Sequence, residues 1–495
     1  MRLFRPFHKW AFLCLIAVTG LSAVAQITPA LLWITNSSVK LEQVIGDVDW
    51  ANGSNVTSQT ITRFNIEGTD VSATFLSGTN RIFVFGDTIG TNINYNAADP
   101  VAWSTTTDGE TGLLLNFYTN SDGSNVFIDP AGIKMAGDDT PNAGLCISNI
   151  NYLICNTGSN PNGTNSAQKH AADYSVLVTF SQTNLTFQTN RTISVLTNGG
   201  HFIINSLHLF GTKVLMFGAG GYRASDIYLA TTPVSSYMSG NGTLYFTGLT
   251  NGQPNWSNLE TNAVPVVQDN PTNGPPWPND TPSVGNLSVI YSTHLSLWLM
   301  TYDGGRNTAS SPNTTGIYFC SAAQPWGPWS APQLIFNSSR DGGAGVFIHD
   351  NRYNPPGLIG PTTDPTNHNP TNTDGTVYSP DLIESFTTIS NSTLNIYYFM
   401  ATWNPYTVVK MRSAFTINPV IDPASLIKLK KKFSFAWNAP TNIIYQVEYS
   451  TNLLSAWNTF TNLVTSTNGV FNFTDNGTNE GGLGITKYYR LQAPR

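Results

Sequence analysis

The chain has 495 residues, of which only 11 % are charged, a net charge of -6, and no cluster of Lys or Arg before position 428. That balance excludes a nucleic-acid binder, which needs a basic footprint, and beyond the N-terminus no apolar segment approaches bilayer length. Asn, Thr, Ser and Gly fill the vacated places, and the 12 Trp suit ligands with flat, partly apolar faces such as sugars, as well as a large β core.

Arg2, Arg5, His8 and Lys9 open the chain, an apolar stretch runs from Trp10 to Val24, and Ala23-Val24-Ala25 precedes Gln26. This pattern predicts a signal peptide over residues 1–25 and a secreted protein, extracellular or periplasmic, with no membrane span once the leader is removed. Cys14 leaves with the leader. Cys146 and Cys155 fall on neighbouring predicted strands, where a cross-strand disulfide and a pair of buried thiols are both open. The cysteines and the seven scattered His show no metal-ligand spacing. A structural Ca²⁺ on the propeller axis is left open although no loop declares its ligands, no other cofactor is expected, and the chain is read as a monomer.

Short apolar runs bounded by Gly, Asn, Asp and Pro recur along the chain, and none has helical periodicity. Predicted first strands cover 69–77, 143–149, 201–210, 284–292 and 377–386. Stronger second strands cover 81–88, 152–158, 213–221, 295–305 and 395–406, and third strands follow at 175–180, 226–232, 316–322 and 408–415. Five such units imply an all-β chain with a five-bladed β-propeller over 26–420, its ring closed by a strand from about Val39 to Phe64. Trp326 and Trp329 of WGPWS read as a turn between two blades. From about Asp422 the pattern changes. After a basic run, Lys428 to Lys432, that reads as a solvated linker, alternating strands over 421–495 predict a small β-sandwich.

If first strands line the axis, their starts and the ends of second strands share one face. That face collects Asp70, Asp87, Asn142, His201, Tyr222, Arg223, Ser225, Asn286, Tyr302, Asp303, Tyr378, Asp381, Trp403, Asn404 and Tyr406. Carboxylates and amides pair with sugar hydroxyls, and an aromatic platform takes the C–H face of a ring. Glycoside hydrolysis needs two carboxyl groups, one protonated and one that attacks or activates water. Asp70 is the predicted nucleophile or base and Asp87 the second carboxyl. Arg223, Ser225, Asn286, Asp303, Trp403, Asn404 and Tyr406 are predicted substrate contacts. Turn-forming roles for the two Asp, an Arg223–Asp226 pair and core packing for Trp403 are the structural alternatives.

The phrases GTD (68–70), VFGDTIG (84–90), GGYRASDIYLA (220–230), QPWGPWSAP (324–332) and YYFMATWNPYTVVKMRS (397–413) resemble the domain of unknown function 4185 family, part of which is classified as glycoside hydrolase family 183. The resemblance implies a five-bladed, extracellular, glycan-active domain, with endo-acting D-arabinan hydrolysis as the activity of characterised relatives. Five-bladed furanosidases, which the chain resembles in outline, keep an Asp at the position of Asp70. In VGNLSV the chain has Asn286 where the family pattern often carries Glu. The C-terminal segment resembles the fibronectin-like modules of large secreted bacterial proteins. A hydrolase, a non-catalytic glycan-binding propeller and an adhesive surface protein are thus the three readings, and paired carboxylates in an open cleft favour the first.

Overall fold

The computed structural model describes residues 29–91, 93, 98–135, 139–158, 172–268, 284–305, 314–352, 374–390, 392–421, 425–429, 432–439, 443–451, 457–478 and 487–492. The leader predicted over 1–25 lies outside them.

Two short strands, β1 (Ala30–Trp33) and β2 (Val39–Gln43), come first, then a five-residue helix, α1 (Thr60–Phe64). The first sheet holds β3 (Val71–Ser77), β4 (Asn80–Phe85), β5 (Val101–Ser104) and β6 (Asn116–Phe117). The second holds β7 (Pro141–Ile147), β8 (Ile150–Thr157), β9 (Tyr174–Ser181) and β10 (Thr186–Val195). The third consists of β11 (Ile204–Phe210), β12 (Lys213–Ala219), β13 (Tyr228–Pro233), β14 (Leu244–Thr250) and β15 (Gln253–Ser257). The fourth consists of β16 (Leu287–Ser292), β17 (Leu297–Gly304), β18 (Gly316–Ala322) and β19 (Gln333–Phe336). The last has β20 (Thr376–Leu382), β21 (Thr388–Ser390), β22 (Thr393–Trp403) and β23 (Thr407–Asn418).

Among the described residues the named strands pair antiparallel, as short connections require. The innermost strands pack in succession, β3 on β7, β7 on β11, β11 on β16, β16 on β20, and β20 back on β3. The ring so formed is a β-propeller. Second strands such as IFVF and LWLMTYDG are buried on both faces because each sheet is sandwiched between two others. Both β1 and β2 pair with β23, so the N-terminal segment covers the outer edge of the last sheet and removes an exposed edge. The segment predicted to close the ring does so through β2, and its end is helical instead: Thr60 is buried, and its hydroxyl accepts the Gly46 N–H and donates to the Ile66 carbonyl.

Two expectations are corrected and one open alternative is decided. The WGPWS turn joins β18 to β19 within one sheet, because Gln333–Phe336 pairs back on β18. The basic run is no linker: Leu429 pairs with Lys432 across the hairpin of β25 (Ile427–Leu429) and β26 (Lys432–Asn438). Register excludes a Cys146–Cys155 disulfide, since Cys146 pairs with Asn151 and Cys155 with Pro141, at opposite ends of the β7–β8 hairpin. Cys155 and Cys320 are fully buried. Burial, with Asp99 and Asp139 nearby, pushes the Cys155 thiol up. Alkylation of the native chain followed by peptide mapping is expected to modify Cys146 and to spare Cys155 and Cys320 until denaturant is added.

After Asn418 the strands change partners. β24 (Val420–Ile421), β25, β26 and β29 (Val470–Asp475) make a four-stranded sheet, and β27 (Tyr445–Ser450), β28 (Asn458–Val464) and β30 (Tyr488–Gln492) a three-stranded one. Their alternating inward residues, Phe435, Trp437, Tyr445, Phe471 and Phe473 among them, form a core continuous with Leu31, Phe415 and Ile417 of the last propeller sheet.

Candidate active site

Strand polarity gathers the chemistry on one face. Asp70 immediately precedes β3, Asp87 follows β4, Asp99 stands two residues before β5 and Asp139 two before β7. Because β5 runs parallel to β3, its start lies on the same face as that of β3. Gly86 is required here, since a Cβ at that position would collide with the Asp70 carboxylate and with Thr140 of the neighbouring sheet.

Asp70 is half-buried, and the Tyr378 hydroxyl from β20 lies 3.4 Å from its Oδ2. Asp99 is 2 % exposed and Asp139 4 %. Burial raises Asp99 well above the usual carboxylate range, and the charges of Asp70 and then Asp139 raise it further. Three carboxyl groups from two adjacent sheets therefore act on one another's charge, with Asp99 buried and its carboxyl raised, while Asp70 is half-buried.

A second constellation stands beside it. Arg223, on the turn between β12 and β13, donates from Nε (3.3 Å) and Nη2 (3.1 Å) to Asp303 Oδ2 at the end of β17. The other oxygen of Asp303 accepts the backbone N–H groups of Asn286 at 2.7 Å and Ser379 at 3.2 Å. Burial raises the Asp303 carboxyl, with Arg223 and the two N–H groups opposing. Tyr222 lies under the guanidinium, 5.0 Å from Arg223 Cζ to the ring centroid. Arg223, Ser379 and Asn404 all adopt left-handed φ, 53°, 50° and 57°, a conformation costly for Arg and Ser that persists only where surrounding contacts fix it.

Exposure sorts the sequence-predicted residues. Asp70, Arg223, Asn286 and Trp403 are half-buried and reach the surface, as do Tyr222 and Tyr378. Asp87, Ser225, Asp303, Asn404 and Tyr406 are buried. Tyr406 donates its hydroxyl to the Asp87 carbonyl at 2.6 Å, and its ring stands edge-on to Trp403 at 6.2 Å. The Ser225 hydroxyl braces its own turn, accepting Gly220 N–H at 2.8 Å and donating to Asp226 O at 2.9 Å. Arg223 pairs with Asp303 rather than Asp226, since the ring places β17 against that turn. His201 stacks on Tyr228, ring centroids 3.8 Å apart, and burial lowers its pKa. Asp99 and Asp139 were not among the predicted site residues. Among the described residues no three His, Cys, Asp or Glu side chains are placed to hold a metal ion, and no helix is long and apolar enough to cross a membrane.

Asp381, deeper along the axis on β20, is held up to about 7 by burial, against the Ser288 hydrogen bond and the charge of Arg81. A carboxyl whose folded pKa is raised contributes stability that is complete below the unfolded value, about 4, and is lost as pH rises through the folded value. The melting temperature of Asp381→Asn relative to the parent chain is therefore expected to climb between about pH 4 and pH 7. Differential scanning fluorimetry across that window checks it, and a constant difference would refute the assignment.

No curated protein matches the chain. Among solved structures, it is similar to a putative hydrolase from Bacteroides ovatus at 12 % identity, covering 71 % of this chain and 87 % of that one, with a TM-score of 0.41. It is also similar to the exo-beta-1,3-galactanase of Phanerochaete chrysosporium at 10 % identity, covering 92 % and 94 %, with a TM-score of 0.37. The alpha-L-arabinanase of Cellvibrio cellulosa matches at 9 % identity, covering 72 % and 94 %, with a TM-score of 0.34. The model of one family spans residues 55–412, from the segment before α1 to the middle of β23, and so takes in the whole ring of innermost strands and the carboxyl cluster they carry: the chain belongs to the family described as Domain of unknown function (DUF4185).

Proposed function

We propose that the protein is a secreted glycoside hydrolase that cleaves a polysaccharide, with endo-acting hydrolysis of an arabinan-type furanoside as its reaction, as in glycoside hydrolase family 183. The observation that carries the reading is the group of neighbouring carboxyls: half-buried Asp70 near buried Asp99, whose pKa is raised by burial and by its neighbours' charges. Glycoside hydrolysis uses one carboxyl in each protonation state. In this reading Asp70 is the nucleophile or base, its orientation set by Tyr378. Asp99 is the proton-holding partner, and Asp87 is a reserve second carboxyl on the same face. Arg223, Asn286 and Trp403 contact sugar hydroxyls and a ring face, while Asp303 positions Arg223. The C-terminal sheets act as a fibronectin-like spacing or attachment module.

A second reading, glycan binding without cleavage, is favoured by the burial of Asp87 and Asp99, at 7 % and 2 % exposure. Product release from a panel of plant and bacterial polysaccharides, arabinans included, separates the two. Release by the parent chain that is lost in Asp70→Asn supports the hydrolase, whereas retention of a polysaccharide with no release supports the binder.

A further inference from the structure

Away from the carboxyl cluster, the innermost strands enclose a cavity of ≈ 740 Å3 along the axis, within the roughly 300–1,000 Å3 of small-molecule sites. Its lining runs past the strand ends to exposed His294 and Glu384, so it opens on the face opposite Asp70. Neither Asp70, Asp99 and Asp139 nor the Arg223–Asp303 pair lines it.

Polar groups stand in its otherwise largely apolar wall, where an apolar filling would cost less. Arg81 is 6 % exposed, with Nη2 donating to Ser385 and Nε buried without a partner. Asn205 Oδ1 and Ser292 Oγ are likewise buried without a partner, in residues 0 % and 4 % exposed. Asp381 accepts from Ser288 Oγ at 3.2 Å. Charge narrows the ligand class. The Arg81 guanidinium opposes a cation, and exposed Glu384, whose charge acts on Arg81, opposes an anion. A neutral molecule with many hydroxyls, each donor and acceptor at once, satisfies such a wall. The rim supplies the complementary apolar surface: Phe210 is 44 % exposed, edge-on to Tyr291 at 5.2 Å, with Leu76 and Leu209 beside the opening.

We propose that this cavity is a second carbohydrate site, separate from the carboxyl cluster, that takes a neutral mono- or disaccharide unit with its hydroxyls on Arg81, Asn205, Ser292 and Asp381 and one ring face on Phe210. The assignment goes beyond the hydrolase reading and does not depend on cleavage.

Cys146 lines the same cavity and is half-buried, so the chain carries its own reporter. The full chain is treated with iodoacetamide and the rate of Cys146 alkylation read by peptide mapping, with glucose, galactose, arabinose or lactose added in turn. At least one sugar is expected to slow alkylation saturably, while sulfate and tetramethylammonium leave the rate unchanged. Phe210→Ala is expected to weaken the protection about three- to tenfold. Ser292→Ala, a small change that keeps the strand, is expected to weaken it as well, and Asp70→Asn to leave it intact. No protection by any of the four sugars, or equal protection by the salts, overturns the proposal. Loss of product release in Asp70→Asn without sugar protection of Cys146 would leave the hydrolase standing and this site refuted, and the converse pattern would do the reverse.

Discussion

Asp70→Asn is expected to lower polysaccharide cleavage by roughly 10²- to 10⁴-fold, the range a positioned acid or base contributes, with no loss of fold. The substitution keeps the shape of a half-buried side chain over Gly86 and an oxygen for the Tyr378 hydroxyl, and removes only the charge. Asp99→Asn is the sharper companion. Asn reproduces the neutral, protonated form of Asp99 without a transferable proton. If Asp99 donates its proton, activity falls with Asp99→Asn and the alkaline limb of the pH–rate profile disappears. If Asp99 only shapes the field around Asp70, the limb shifts and kcat changes little. Rates of reducing-end release across pH for the parent and both variants decide it, and undiminished activity in Asp70→Asn would remove Asp70 from the mechanism.

Much of this arrangement is legible in the sequence because a propeller repeats one local rule. Alternating and continuous apolar runs mark the strands, and the predicted second strands over 213–221 and 295–305 lie on β12 (Lys213–Ala219) and β17 (Leu297–Gly304). The antiparallel rule then places Asp70, Asn286 and Tyr378 on one face without any tertiary information. It reaches too few residues because it uses first-strand starts and second-strand ends but not third-strand starts. Asp99, two residues before VAWS, occupies such a start, and β5 is short enough at four residues to escape notice. Asp139 escapes the rule through a strand boundary: β7 begins at Pro141, two residues earlier than its apolar pattern suggests. Burial was the other illegible quantity. Nothing local distinguishes Asp70, which reaches the surface, from Asp303, which is enclosed by three sheets, and the partner of Arg223 lies 80 residues away. The two glycines that admit these carboxylates, Gly86 in FGDT and Gly285 in VGN, are the local trace that was present, because close approach of a side chain to backbone leaves no room for a Cβ.

Asp303→Ala is expected to destabilise the chain by about 3–5 kcal/mol, the cost of removing one partner from a buried pair. The reason is its position as a junction. One carboxylate, 1 % exposed, ties the turn after β12, the start of β16 and the β20 residue Ser379 together through four hydrogen bonds. Truncation leaves the Asn286 and Ser379 N–H groups buried and unmet and releases the guanidinium that holds Arg223 in its left-handed conformation. Asp303→Asn should cost less, since an amide oxygen can still accept the two N–H groups while its NH₂ faces Arg223 unfavourably. Arg223→Ala in either background then measures the pair itself. A coupling near zero in that double-mutant cycle would mean the backbone contacts, not the ion pair, hold the junction. Denaturant midpoints supply the stabilities, and sugar-binding assays on the same variants test a consequence for function: with the three sheets no longer pinned at one carboxylate, Arg223 and Tyr378 lose their fixed distance from Asp70, and binding should weaken in the order Asn, then Ala.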